Sequence, residues 1–207
     1  MNQRIDKLKI YIFYNMKRIL FFLLIILIGA TCFYFLKPVT TIKIQPLGDV
    51  SPLYINLVKK SVKTFYGYNC VVLPKKTITK SMLSKITKRV DANKALRSNL
   101  SFDNLLILTE KDICYNKDKK RPEYGIFGLG LNPGRTCIVS TFRLKRGVSN
   151  KKTLERLEKV VLHEIGHNIG LEHCEFDKKC MMNDAKGTIK QVDAEKVWLC
   201  EKCRNQI

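Results

Sequence analysis

At 207 residues the chain has room for one domain with a full core plus an additional segment. Hydrophobic residues make up 45% and charged ones 27%, an ordinary globular balance without repeats or low-complexity runs, which excludes a disordered or repeat-built protein. The net charge of +20 suits nucleic acid, an anionic membrane or acidic substrates. The lysine pairs (Lys59-Lys60, Lys75-Lys76, Lys119-Lys120, Lys151-Lys152) are scattered and not interleaved with aromatics, however, which favours a solvated lysine-rich surface, with membrane proximity as its best functional reason.

The chain opens with a basic stretch over residues 1–18: Arg4, Lys7, Lys9, Lys17 and Arg18 against one acid, Asp6. Ile19 to Leu36 are eighteen uncharged, nearly all apolar residues, about the 17–25 needed to cross a bilayer as a helix. The positive-inside rule predicts a cytoplasmic N-terminus and an exported remainder. Three readings compete: an uncleaved signal anchor, a cleaved signal peptide leaving a secreted protein, and a lipoprotein signal at Cys32. The run exceeds the usual 7–15-residue signal core, and Phe33, Tyr34 and Phe35 stand where cleavage should occur. The expectation is therefore a transmembrane anchor over 19–36 and an extracytoplasmic domain over 37–207.

Thr40 to Pro46 alternates as a strand. Ser51 as N-cap, Pro52 at the first helical position and Gly67 as stop delimit a helix. Cys70 to Leu73 predicts a short buried strand closed by Pro74. The polar, lysine-rich Ser81 to Asn99 reads as one helix or two short ones. Asn104 to Leu108 has the continuous apolar run of a central strand, and Thr109 to Asp118 reads as loop. Tyr124 to Leu129 and Thr136 to Thr141 predict two strands joined around Asn132-Pro133-Gly134. Ser149 or Asn150 caps a long helix whose Leu154, Leu157, Val161, Ile165 and Asn168 fall on one stripe. A last short helix is expected over Val192 to Leu199, holding Trp198 against the core.

All three histidines of the chain lie within twelve residues. His163 and His167, at i and i+4, project from one helix face and can take two corners of a Zn²⁺ tetrahedron, with Glu164 beside them to deprotonate a water. Five residues with three fixed letters recur by accident, so this HExxH alone leaves a helix with surface histidines open. The continuation narrows it: Gly170 can end the helix in the left-handed conformation, letting His173 return as a third ligand. Beyond it stand Cys174, Cys180, Met182, Cys200 and Cys203. The cysteines read as a Cys₄ zinc site or as two disulfides, the CxxC pair suiting a zinc knuckle and export favouring oxidation. Cys70, Cys114 and Cys137 carry no assignment; the last two could pair if exported.

The pattern HExxHxxGxxHCx5CxMx17CxxC resembles the signature of the archaemetzincins, zinc metallopeptidases of the metzincin clan. The resemblance is dense over 163–203 and weaker back to about Ile42. It implies an α+β, metzincin-like zincin fold: a mixed twisted sheet with helices, an active-site helix, a Met-turn and a C-terminal zinc-knuckle-like subdomain. It implies two Zn²⁺ per chain, a catalytic one on His163, His167 and His173 and a structural one on Cys174, Cys180, Cys200 and Cys203. Met182 would be the Met-turn residue packing under the metal, with Met181 a plain core residue. Phe127-Gly128 and Ser140-Thr141-Phe142-Arg143 resemble family segments, and metzincins use the strand here, Thr136 to Thr141, as the edge that pairs with substrate. The implied activity is hydrolysis of peptide or protein substrates by a zinc-activated water with Glu164 as general base. A membrane-tethered zinc protein with little peptidase activity is the alternative, against which the intact Glu164 argues. Nucleic-acid binding through the cysteine site has thin support in Lys186, Lys190, Lys196, Lys202 and Arg204, and is not expected.

Overall fold

The computed structural model describes residues 16, 18–25, 39–99 and 104–207. The chain divides into two units at Val39/Thr40. In the first, residues 18–25 are helical (α1), and the apolar side chains of Ile19 to Ile25 are exposed. Among the described residues no helix is long and apolar enough to cross a membrane; the expected span over 19–36 lies outside them beyond residue 25.

The second unit, Thr40–Ile207, is α+β. Its twisted main sheet has the order β2-β1-β4-β8-β7, from β1 (Thr41–Pro46), β2 (Asn69–Val72), β4 (Asn104–Thr109), β7 (Gly128–Gly130) and β8 (Thr136–Ser140). β1 runs parallel to both β2 and β4, and β4 parallel to β8; only β7 is antiparallel. A small second sheet joins β3 (Val90–Asp91), β5 (Ile113–Tyr115) and β6 (Tyr124–Ile126).

The two-residue period of the central strands builds a core on each face. Ile42, Ile44, Leu106, Leu108, Cys137 and Val139 share one cluster with α2 (Pro52–Tyr66) and α4 (Asn150–Asn168). Leu105, Ile107 and Ile138, one residue out of phase, pack with Leu47, Met82 and α3 (Ala92–Arg97) on the other face. All of these side chains are buried, so a one-residue slip of β4 would exchange the two cores.

The cap signals hold: the Ser51 hydroxyl accepts from the Leu53 N–H, and Gly67 ends α2 at φ 72°. Ser149 caps α4, accepting from the Lys152 N–H. Several expectations are corrected. Cys70–Leu73 is not buried: β2 pairs only with β1 at the end of the sheet, leaving Val71 and Val72 exposed. Ser81–Asn99 is not mainly helical. A 3₁₀ turn (Lys80–Met82) and β3 precede the short α3, because the Glu123 carboxylate takes the Ile86 and Thr87 N–H groups and Asp91 caps α3 only at Ala92. The expected loop 109–118 contains β5, which pairs antiparallel with the following β6 and parallel with the earlier β3. Tyr124–Leu129 is two strands in two sheets, β6 and β7, broken at Phe127. In place of the helix expected over Val192–Leu199 stands α5 (Ile189–Ala194), ended by extended Glu195, so Trp198 packs against the core from irregular chain. A one-turn helix, α6 (Glu201–Arg204), follows.

Candidate active site and metal centres

α4 carries the site. Its buried Leu157, Val161 and Ile165 face the sheet core, the predicted stripe. Two further anchors orient it. Tyr66 of α2 donates its hydroxyl to the Leu162 carbonyl at 2.8 Å. On the opposite flank Arg156 makes a two-pronged ion pair with Asp193 of α5, at 2.8 and 2.7 Å, and Lys159 Nζ donates to the Val192 carbonyl at 2.8 Å.

The helix ends as its sequence predicts. Gly170 takes φ 100°; its N–H donates to His167 O, and that of Leu171 to Gly166 O. These paired bonds form the Schellman arrangement, which needs a residue free of Cβ strain at Gly170. The reversal also brings the Leu171 carbonyl back toward the helix. His167 Nδ1 donates to that carbonyl at 2.7 Å, and His163 Nδ1 donates to the Met181 carbonyl at 2.6 Å. A carbonyl only accepts, so both rings must carry their proton on Nδ1 and direct the Nε2 lone pair into the cleft. There His167 Nε2 lies 3.0 Å from His163 Nε2 and 3.3 Å from His173 Nε2. Burial, then the neighbouring His167, pushes His163 down to about 3; burial also lowers His167. Two neutral imidazoles thus share a focus with His173, which reaches it from an exposed position.

Glu164 points away from that core stripe toward β7. It is buried, and desolvation raises its carboxyl to about 8 against the opposing effect of the Gly130 N–H. Gly128 and Gly130 make its place: a Cβ on Gly128 would come within 2.5 Å of Glu164 Oε1, and one on Gly130 within 2.7 Å of the Glu164 carbonyl oxygen. The strand flanking the site is therefore β7. The expectation that Thr136–Thr141 forms the edge is corrected: β8 lies between β4 and β7, its outer hydrogen bonds already taken by Gly128 to Gly130.

Met182 is fully buried against α4, its Sδ where a Cβ on Gly166 would come within 2.6 Å. Met181 is buried too, but beyond being a core residue it supplies the carbonyl that orients His163. The Cys174 N–H donates to Met182 O at 2.7 Å, tying the Met182 turn to the start of the next cluster.

That cluster is Cys174, Cys180, Cys200 and Cys203, all buried, with sulfurs within 4.8 Å of one another. All four are free thiols, as are Cys70, Cys114 and Cys137. Cys174 Sγ lies 3.6 Å from Cys200 Sγ, and the Cys200 N–H points at Cys180 Sγ at 3.4 Å. Burial raises Cys203. Both donor sets fit a metal: four thiols suit a closed tetrahedral zinc site, and three imidazoles with one open side suit a zinc that also binds a ligand.

The histidines open into a cleft of about 320 Å³, bounded by β7 above and by Asn183 to Gly187 and Glu195 below. The residues that spacing alone missed are Gly130, the orienting carbonyls of Met181 and Leu171, the Arg156–Asp193 pair and Glu195. Only the glycine alternation at 128 and 130 left a trace in the sequence.

The sequence pattern of peptidase family M54 matches residues 51–207. Archaemetzincin of Halobacterium salinarum is 30% identical over 178 residues, covering 80% of this chain and 98% of that protein. The crystal structure of archaemetzincin from Archaeoglobus fulgidus, complexed with malonate, superposes with a TM-score of 0.72 at 26% identity, over 81% of this chain and all of that one. That of Methanopyrus kandleri archaemetzincin shares the fold, with a TM-score of 0.66 at 24% identity over 81% of this chain and 92% of the other.

Proposed function

The chain belongs to peptidase family M54, the archaemetzincins, and is a zinc metallopeptidase; on that premise we propose that His163, His167 and His173 hold its catalytic zinc and that Glu164 is the general base. The observation that carries this reading is the convergence of three Nε2 atoms, two of them fixed in orientation by carbonyls, next to a buried carboxylate. A zinc ion held there supplies Lewis acidity to the attacking water and the scissile carbonyl.

The chain's own groups do the rest. The β7 edge offers its free backbone side to an extended peptide as an added strand. Glu164 takes a proton from the attacking water and later passes it to the leaving amine. Burial raises that carboxyl, and a cation held by His163, His167 and His173 would draw it back toward the ionised form a base needs. Cys174, Cys180, Cys200 and Cys203 hold a second, structural zinc that ties the C-terminal tail to the turn after the catalytic histidines.

We further propose that residues 19–36 anchor the protein in a membrane, N-terminus in the cytoplasm and catalytic unit outside. Support comes from the uncharged run itself and from the exposed apolar side chains of Ile19 to Ile25. Alkaline carbonate extraction and protease protection of the expressed full chain test it: release into the soluble fraction would defeat the anchor. The catalytic assignment is tested by zinc content and peptide-library cleavage of wild type and Glu164→Gln. Two zincs per chain in both proteins, with cleavage only in wild type, are expected. Undiminished cleavage by the variant would remove Glu164 from the mechanism.

A further inference from the structure

Glu195 is the one buried carboxylate in the cleft wall that neither the histidines nor the proposed chemistry uses. It is 6% exposed, and its Oε1 has no hydrogen-bond partner among the described residues. The chain has 38 lysines and arginines against 18 acids, so cations to pair with such a group are abundant. The nearest candidate is turned elsewhere: Lys159 Nζ donates to the carbonyls of Val192, at 2.8 Å, and Asp193, at 3.4 Å. The Gln191 side chain faces the carboxylate without neutralising it. Lys159 therefore acts on Glu195 by its charge and without a direct ion pair, and a buried acid in this state stays neutral or costs free energy as a carboxylate until a cation makes contact with it.

Its position says where that cation would come from. The Arg156–Asp193 pair and Lys159 pin α5 to α4 immediately before the histidines, and Glu195 follows the last residue of α5. Val160, one helical turn or roughly 5 Å before Glu164 on α4, and Val192 line the same cleft as Glu195, so an apolar wall and an acid share the cleft with the proposed base. Apolar walls with a carboxylate among them match an amphipathic side chain: a methylene stem with a cationic head. The remaining charges agree, since Glu172 and Asp184 join Glu164 and Glu195 in the cleft lining, against Lys117 and Lys186.

We propose that Glu195 is a specificity-determining residue that receives the lysine or arginine side chain of a substrate residue flanking the scissile bond. The inference rests on the peptidase reading above. Burial raises the Glu195 carboxyl to about 7 in the free protein, and a cationic side chain entering the pocket favours its ionised form.

The test uses the zinc-loaded full chain and a set of peptides carrying lysine, arginine, norleucine or glutamate on either side of the cleaved bond. Wild type should favour lysine or arginine over norleucine on one side by on the order of tenfold in kcat/KM, with glutamate worst. In Glu195→Gln that ratio should collapse toward one, while zinc content and melting temperature report an intact fold. A wild-type ratio near one overturns the proposal without recourse to any variant. Absence of all cleavage strikes the peptidase reading instead. Calorimetric affinities of the same peptides for the zinc-loaded protein then decide the pocket: tighter binding of lysine than norleucine supports it, equal binding overturns it.

Discussion

The three histidines and the four cysteines adjoin in sequence, His173 followed directly by Cys174, yet the two clusters are built in opposite ways. Two histidines ride on a nineteen-residue helix, and their rings are locked by the carbonyls of Met181 and Leu171. The helix is itself pinned by Tyr66, by Arg156–Asp193 and by its own apolar stripe. The cysteines sit on turns and on α6, a four-residue helix. Single backbone bonds, such as Met181 N–H to Trp198 O and Lys196 N–H to Lys179 O, link these segments. The cysteines are themselves much of that region's buried core. A site preorganised by secondary structure stands before its metal arrives, whereas a site made of turns depends on the metal to close it.

The sharpest way to break this contrast is to remove one cysteine. With the proposed structural zinc in place, which contributes about 10–16 kcal/mol in small zinc modules, Cys200→Ser or Cys203→Ser should open the segment from Cys174 to Ile207. Hydrogen exchange should show that loss while the amides of α4 through Val161 stay protected. Equal loss in both places would mean the two sites are one cooperative unit. Next in size is Glu164→Gln, expected to lower kcat by about 10²–10⁴-fold with both clusters and the melting temperature unchanged, which steady-state kinetics and calorimetry would read together. Gly166→Ala probes the join between the regions. Its new Cβ would press within 2.6 Å of Met182 Sδ, and overpacking of this kind costs about 1–3 kcal/mol. Denaturant titration should find that loss, together with weaker zinc binding at the histidines. Smallest should be Ser149→Ala, which removes a helix cap far from the chemistry. About 1 kcal/mol of stability should go, with kcat per folded molecule untouched; a drop in kcat would mean the helix transmits end fraying to His163.

The same contrast separates what was legible in the sequence from what was not. α2 and α4 announce themselves because caps and stop signals act within a few residues: Ser51 with Pro52 and Gly67, Ser149 with Lys152. The central β4 shows as a bare apolar run because both its faces are buried. The short strands showed only in part. β5, three residues long, is defined by pairing with β3 and β6 and not by its own period. β2 has the apolar content of an inner strand and an edge strand's position. α5 starts three residues earlier than expected and ends at Ala194, its Asp193 ion-paired with Arg156.

By itself the sequence determined the chemistry-bearing set: the i, i+4 histidines, the glycine that turns the chain back, the third histidine and four cysteines at zinc-site spacing. The histidines and the glycine follow from local geometry, the 3.6-residue period and the freedom of Gly170 at φ 100°; the cysteines' spacing alone left two disulfides open, and the family resemblance pointed to zinc. Only the tertiary structure decided which strand flanks the site, which carbonyls fix the imidazole tautomers and which acid faces the cleft unpaired. Apart from the Leu171 carbonyl, four residues beyond His167, these depend on groups far apart in the chain, eighteen residues from His163 to Met181 and thirty-seven from Arg156 to Asp193. No local spacing encodes such partners; they meet because the sheet order and the two cores leave them no other place.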